Sequence, residues 1–493
     1  MTAVSKHRRT LRLWEALALS LGLMGPTLAM AGNGQGVIDA VGKAVPLVFV
    51  LGCVGVALVA YGFVRLTRYY NHSGSAYALV GATVGPRAGF FAGFALLGTY
   101  LFFSVCTLAA LGAFTNALLA AAQPHSAQPF QLSWGVTVVV GLVLSGVLNT
   151  RDTKIVARVL LAIEGIGVVF MVVLAFVILG TGGAPSTGID FSAFTVSGTS
   201  LQAVMGAVVA AFLSWAGFEA CAVLGEETDD PRRNIPRALG GAVLLTSALF
   251  VGVMFVQTIG FGTDGNGLEA FKNSGNTLGT LGGRYVGLWF ALVILFTSVM
   301  SAFASHLSAA ATASRMIYAL ARDGFGPKRL AELDPRHDSP RNALWAVLAV
   351  TAVVDIVSWA TGRPRIGTGS AALDSYFYFA VSGAVCLMFA YLLVQVGVIR
   401  FIATGRVTIP RYETVVPLLG IGVIVAVFYY NVKGQNSLLA SPFVAFAWCA
   451  AGLVIVFAAP GLARRIGTML TAELGIGSRN DAVTPASTAH QEA

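Results

Sequence analysis

Apolar residues run through this chain in long unbroken stretches, not in the narrow stripes of a soluble amphipathic helix. Twelve stand out, at about 14 to 38, 45 to 64, 88 to 121, 132 to 149, 156 to 180, 201 to 224, 238 to 261, 285 to 312, 342 to 360, 373 to 401, 413 to 431 and 442 to 462. A helix needs roughly 20 such residues to cross about 30 Å of hydrocarbon. The pattern therefore predicts an all-α polytopic membrane protein with twelve transmembrane helices. Polar segments separate the spans, and one of them, EETDDPRRNIPR from Glu226 to Arg237, mixes acids with arginines. A solvated loop and a gate held by ion pairs fit that loop equally.

Composition agrees. Of 493 residues 56% are hydrophobic and only 11% charged, more apolar surface than one soluble core hides. The net charge of +9 does not mark a nucleic-acid partner, because its distribution has another cause. With the N-terminus in the cytoplasm, most of the 31 Lys and Arg fall in the inner segments, as expected for a protein of the cytoplasmic membrane with both termini inside. That asymmetry requires residues 14 to 38 to stay. Their basic flank KHRRTLR and A-x-A triplet ending at Ala31 look like a cleavable leader, yet removing them would start the second span from the wrong side.

Cys53, Cys106, Cys221, Cys386 and Cys449 all fall in apolar spans and are odd in number, so neither a disulfide framework nor a metal site is indicated. No nucleotide or cofactor motif appears, which argues against an ATP-driven pump and against an enzyme. Residues from about 464 to 493 turn polar and small, the composition of a disordered cytoplasmic tail.

Two spans are interrupted. The first contains Gly25-Pro26-Thr27, where proline lacks an N–H and clashes with the preceding turn, and glycine weakens the helix further. The sixth contains AFLSWAGFEACAVLGEE, with Ser214, Gly217 and the mid-membrane Glu219. Broken helices in corresponding places of two halves point to a transporter of inverted repeats with its site at the midplane. Bare N–H groups would face an anionic group there, and freed carbonyls an amine or cation. An amino acid satisfies both.

Three stretches then carry a resemblance. GFEACAVLGEETDDPRRNIPRALGG (217–241), SAAATASRMIYALARDGFGPKRLAELDPRHDSPRNAL (308–344) and, more weakly, NHSGSAYALVGATVGPRAGFFAGF (71–94) are similar to segments of the amino acid-polyamine-organocation (APC) superfamily of permeases. The resemblance implies the leucine-transporter fold: a cytoplasmic N-terminus (1–13), a core of five plus five inverted helices (14–403, repeats about 14–180 and 201–403), two further helices (404–463) and the tail (464–493). The sequence departs from the family in two places. Gly25-Pro26-Thr27 stands where many members carry Gly-Ser-Gly, and Ala311 stands where an Asn is common.

Substrate is expected to meet main-chain groups of Gly25, Pro26 and Thr27, together with Trp215, Ala216 and Gly217. Glu164, in the fifth span where some proton-linked relatives place a lysine, is a candidate for coupling protons to transport. Glu219 resembles the Glu of the family's GFE motif and would reach the unwound first span, while Phe212 and Trp215 would close over cargo or simply pack. His306 reads as a satisfied core histidine. Ser301 and Ser305, one turn apart, offer packing hydroxyls or a sodium site; Asp355 receives no role. These readings predict a proton-coupled or exchanging secondary transporter of amino acids or amines. The alternatives are sodium coupling, a non-transporting sensor on the same fold, or a channel.

Overall fold

The computed structural model describes residues 12–70, 76–126, 128–149, 153–224, 228–322, 324–334, 339–404, 409–433, 435 and 437–472. The basic flank before residue 12, Glu226 and Glu227 of the mixed-charge loop, and the tail beyond 472 lie outside them. Among the described residues all regular structure is helical. The N-terminal third comprises α1 (Leu13–Met24), α2 (Pro26–Gly32), α3 (Gln35–Val41), α4 (Val45–Leu66), α5 (Ala76–Thr83) and α6 (Pro86–Ala121). The middle comprises α7 (Trp134–Asn149), α8 (Thr153–Gly180), α9 (Leu201–Ser214), α10 (Pro231–Phe261), α11 (Gly265–Lys272) and α12 (Thr277–Tyr285). The remainder is α13 (Leu288–Arg322), α14 (Arg341–Thr361), α15 (Ala371–Ala403), α16 (Val415–Val432), α17 (Ser441–Ala458) and α18 (Pro460–Ala472).

Ten helical stretches among the described residues are long and apolar enough to cross a membrane; α7 and α9 are apolar but shorter, at 16 and 14 residues. The α6 helix is the central mast, packing along both α13 and α15. Small residues permit the close approaches. A Cβ on Gly98 of α6 would lie 2.4 Å from the Trp448 indole, whose Nε1 donates to Phe94 O at 2.8 Å and docks α17.

Three boundaries differ from the sequence reading. The stretch 14–38 is not one rod, because α3 belongs with the approach to α4 through a short turn at Gly42–Ala44. The α13 helix continues to Arg322, past the expected end at 312, since nothing from Ala309 to Arg322 breaks a helix. And α18 occupies residues assigned to a polar tail from 464: Ala463 and Ile466 are buried against α5 and α6 while Arg464 and Arg465 face outward, an amphipathic pattern too short to register in a count of apolar runs.

Candidate functional site

The first interruption is a single residue wide. Gly25 adopts φ 55°, ψ 61°, ending α1, and Pro26 opens α2 at a position where its missing N–H costs nothing. Glycine is required there twice over, by the left-handed backbone and because a Cβ would sit 2.6 Å from Ser305 Oγ.

A seven-residue helix in an apolar surround cannot leave its ends bare, and α2 does not. The N–H of Thr27 donates to Glu164 Oε1 at 2.7 Å and that of Leu28 to Ser301 Oγ at 3.1 Å. At its other end Gln257 Nε2 donates to Met30 O at 2.8 Å, and the Thr277 hydroxyl reaches Met30 O and Ala31 O at 3.1 and 3.0 Å. Glu164 comes close enough because α8 presents Gly167 one turn on, where a Cβ would lie 2.3 Å from Thr27 Oγ1. The expectation of bare N–H groups at this break is thus replaced by a break wired to side chains.

The second interruption follows α9. The chain turns through Trp215–Gly217, with Gly217 at φ 100°, and resumes as a tight turn of helix at Phe218–Leu224. The two breaks touch. A Cβ on Gly217 would lie 2.9 Å from Leu23, and Ser20 Oγ of α1 donates to Phe218 O at 2.8 Å while accepting from the Cys221 N–H at 3.1 Å.

Between them lies a small, partly open cavity of about 50 Å³. Met24, Leu28, Ala29, Ala216 and Gly217 contribute to its wall from the breaks. Polar groups come from Asn33, Tyr100, Thr107, Ser305 and Tyr376. Asn33 is the hub of a latch across three elements: its Nδ2 donates to Ser214 Oγ at 2.7 Å, and its Oδ1 accepts from Tyr376 Oη at 2.6 Å.

Of the residues singled out from sequence, Ala216, Gly217 and Ser305 line this cavity; Gly25, Pro26 and Thr27 do not, although Met24 and Leu28 on either side of them do. Trp215 and Phe212 face α4, not the cavity: a Cβ on Gly52 would meet the Trp215 ring at 3.2 Å, and one on Gly55 would meet Phe212 at 2.6 Å. Glu219 is buried with its carboxylate 2.8 Å from Tyr391 Oη on α15 and also bonded by the backbone of Gly217 and of Glu219 itself, so its partners lie on α15 and the second break, not on the first span. His306 is buried with Nδ1 2.9 Å from Ser104 O. Ser301 serves the backbone of α2, and Ser305 Oγ is buried beside Gly25 without a partner. Asn33, Tyr376, Gln257 and Tyr391 were not anticipated. The amide in the apolar run around Gln257 was the available signal, since a side chain that costs energy in hydrocarbon asks for a partner.

Long apolar helices, two of them interrupted face to face around a cavity with a few polar groups, define a class: a multi-pass membrane transporter. Sequence comparison names the family. The amino acid permease family model matches residues 11–461, and the chain belongs to that family, within the APC superfamily. Its relatives are transporters and not enzymes. The branched-chain amino acid permease BcaP of Lactococcus lactis is 23% identical over 369 residues, 71% of this chain and 75% of the relative. The low-affinity putrescine importer PlaP of Escherichia coli K12 is 27% identical over 327 residues, 65% and 68% of the two chains. The methylthioribose transporter of Bacillus subtilis is 22% identical over 402 residues, 77% and 83%.

Proposed function

We propose that this permease is a secondary active transporter of amino acids or related amines in the cytoplasmic membrane, working by alternating access on a twelve-helix, leucine-transporter-type frame with both termini cytoplasmic. In this reading α1 with α2, and α9 with Phe218–Leu224, are the broken first and sixth helices. The observation that carries it is the contact between the two breaks beside a cavity that holds a few polar groups in an apolar wall.

Coupling runs through Glu164. Its carboxylate holds the Thr27 N–H, so gaining a proton would weaken the bond that positions α2 and link proton uptake to movement of the cavity wall. Ser301, the competing sodium ligand, already serves the Leu28 N–H.

The test is uptake of radiolabelled putrescine and leucine into proteoliposomes under an imposed pH gradient, with and without sodium. Gradient-driven uptake lost in Glu164→Gln is expected. A sodium requirement together with unchanged uptake by Glu164→Gln would overturn the proton assignment, and currents without saturable counterflow would replace the carrier with a channel.

A further inference from the structure

The transport reading leaves the cargo's chemistry open between amino acids and amines, and the wiring of the first break bears on that choice. A buried cargo carboxylate has several lone pairs to satisfy, and hydroxyls alone supply one donor each, so it calls for backbone N–H donors or a cation as well. The first four positions of α2 offer none: Pro26 has no N–H, Thr27 gives its own to Glu164, Leu28 to Ser301, and Ala29 to Gly25 O at 2.9 Å. At the second break the N–H groups of Trp215, Ala216 and Phe218 bond carbonyls three residues back, each at 3.1 Å. Among the described residues no Lys, Arg or His lines the cavity.

The opposite polarity is well provided. Both α1 and α9 end at the cavity with their carbonyl-rich, electronegative termini, at Met24 and at Leu213 and Ala216. Ser305 presents a buried hydroxyl with no partner that can accept as well as donate, and Tyr376, whose proton is given to Asn33, has an oxygen left to accept from an ammonium. Glu164 adds an acidic group at the N–H of Thr27, the residue next to the cavity-lining Leu28.

We infer that Glu164 fills, with its own carboxylate, the place at the first-helix break where a cargo carboxylate would dock, so that the carrier selects organic amines lacking a carboxylate over the amino acids that carry one. This rests on the transport reading and narrows it.

The experiment uses matched pairs differing only by that group: putrescine against ornithine, cadaverine against lysine, and 3-methylbutylamine against leucine. Binding to the full chain in detergent is read by thermal shift titration. The amine of at least one pair should bind about tenfold more tightly or better, the discrimination expected when a cargo's polar group finds no partner. Glu164→Ala, checked for folding by its own melt, should shrink the preference to within about threefold, because the Thr27 N–H is then vacant. Ser301→Ala frees the Leu28 N–H and removes a hydroxyl from beside the Glu164 carboxyl, which keeps the Thr27 N–H; it serves if Glu164→Ala does not fold and should narrow the gap less.

An amino acid binding as tightly as its amine in every pair overturns the inference while leaving the transport reading in place. A full preference kept in folded Glu164→Ala overturns Glu164 as its cause. No shift with either member of any pair overturns the inference and the amino acid or amine reading together.

Discussion

Tyr376 donates its hydroxyl to Asn33 Oδ1 at 2.6 Å, while the same Asn33 side chain gives its amide to Ser214 Oγ at 2.7 Å. One amide therefore holds α15 and the end of α9 to the residue that closes α2, on the wall of the cavity. Removing either hydroxyl leaves a buried half-bond, which costs about 1–3 kcal/mol. Tyr376→Phe and Ser214→Ala should each lower the melting temperature. Both act through Asn33, so the double variant should lose less than the sum. Strict additivity in a thermal melt series would show that Asn33 is not shared.

Gly167 sets how closely α8 approaches the first break. A methyl there would sit 2.3 Å from Thr27 Oγ1 and 3.1 Å from both Thr27 Cγ2 and Thr297 Oγ1. Alanine is the better helix former by about 1 kcal/mol, so intrinsic propensity predicts a gain. The clash predicts a loss of about 1–3 kcal/mol and a displaced Thr27 N–H. The second effect should win, and Gly167→Ala should abolish gradient-driven uptake. Thr27→Ala removes the obstructing atoms while keeping the Thr27 N–H that Glu164 holds, and should restore both stability and uptake to Gly167→Ala. Failure of that rescue would refute the steric argument.

How much of this was readable beforehand follows from where the information sits. The helices are legible because an apolar run of a given length is a local property. The first break is legible because Gly25 and Pro26 disrupt a helix wherever they stand. The partnership of Thr27 with Glu164, 137 positions away, is not, since it depends on how α8 is rotated against α2. The aromatic expectations failed to resolve for the same reason. Trp215 and Phe212 in an apolar helix look alike whether they face a cavity or, as here, the glycines of α4. Glu164 and Glu219 stood out as costly residues, but their cost says only that partners exist.

Away from the spans, Asp190 organises the loop between α8 and α9. Hydrogen bonds from Ser192 and Thr263 hold its carboxyl down at about 2, and Lys43, 3.4 Å away, adds to this. A group lowered on folding contributes stability that is fully present above its unfolded value, about 3.9, and lost as pH falls toward its folded value. Both side chains of the Asp190–Lys43 pair keep about a quarter of their surface in solvent, which screens the interaction and holds the contribution to about 1 kcal/mol. Asp190→Asn should therefore melt slightly below the parent at pH 7 and at pH 5, with the difference closing between about pH 4 and pH 2. A difference that persists at pH 2 would assign the effect to packing instead.

Asp355 poses the sharpest energetic question in the molecule. It is fully buried on α14, and neither carboxyl oxygen has a hydrogen-bond partner. One turn earlier, Thr351 Oγ1 lies 3.0 Å from Ser104 Oγ, which in turn lies 3.3 Å from His306 Nδ1, so the polar network stops short of the acid. A buried polar group without partners costs about 1–3 kcal/mol, and replacing such groups by uncharged ones of similar size is commonly neutral or stabilising. Asp355→Asn and Asp355→Leu should accordingly raise the melting temperature in detergent. Intramembrane acids that burden the fold are ordinarily retained for what they do in the working cycle. Both variants should thus lose uptake while gaining stability. A lower melting temperature would mean that the carboxyl is engaged in a bond that holds the fold, and unchanged uptake would leave it without a part in transport.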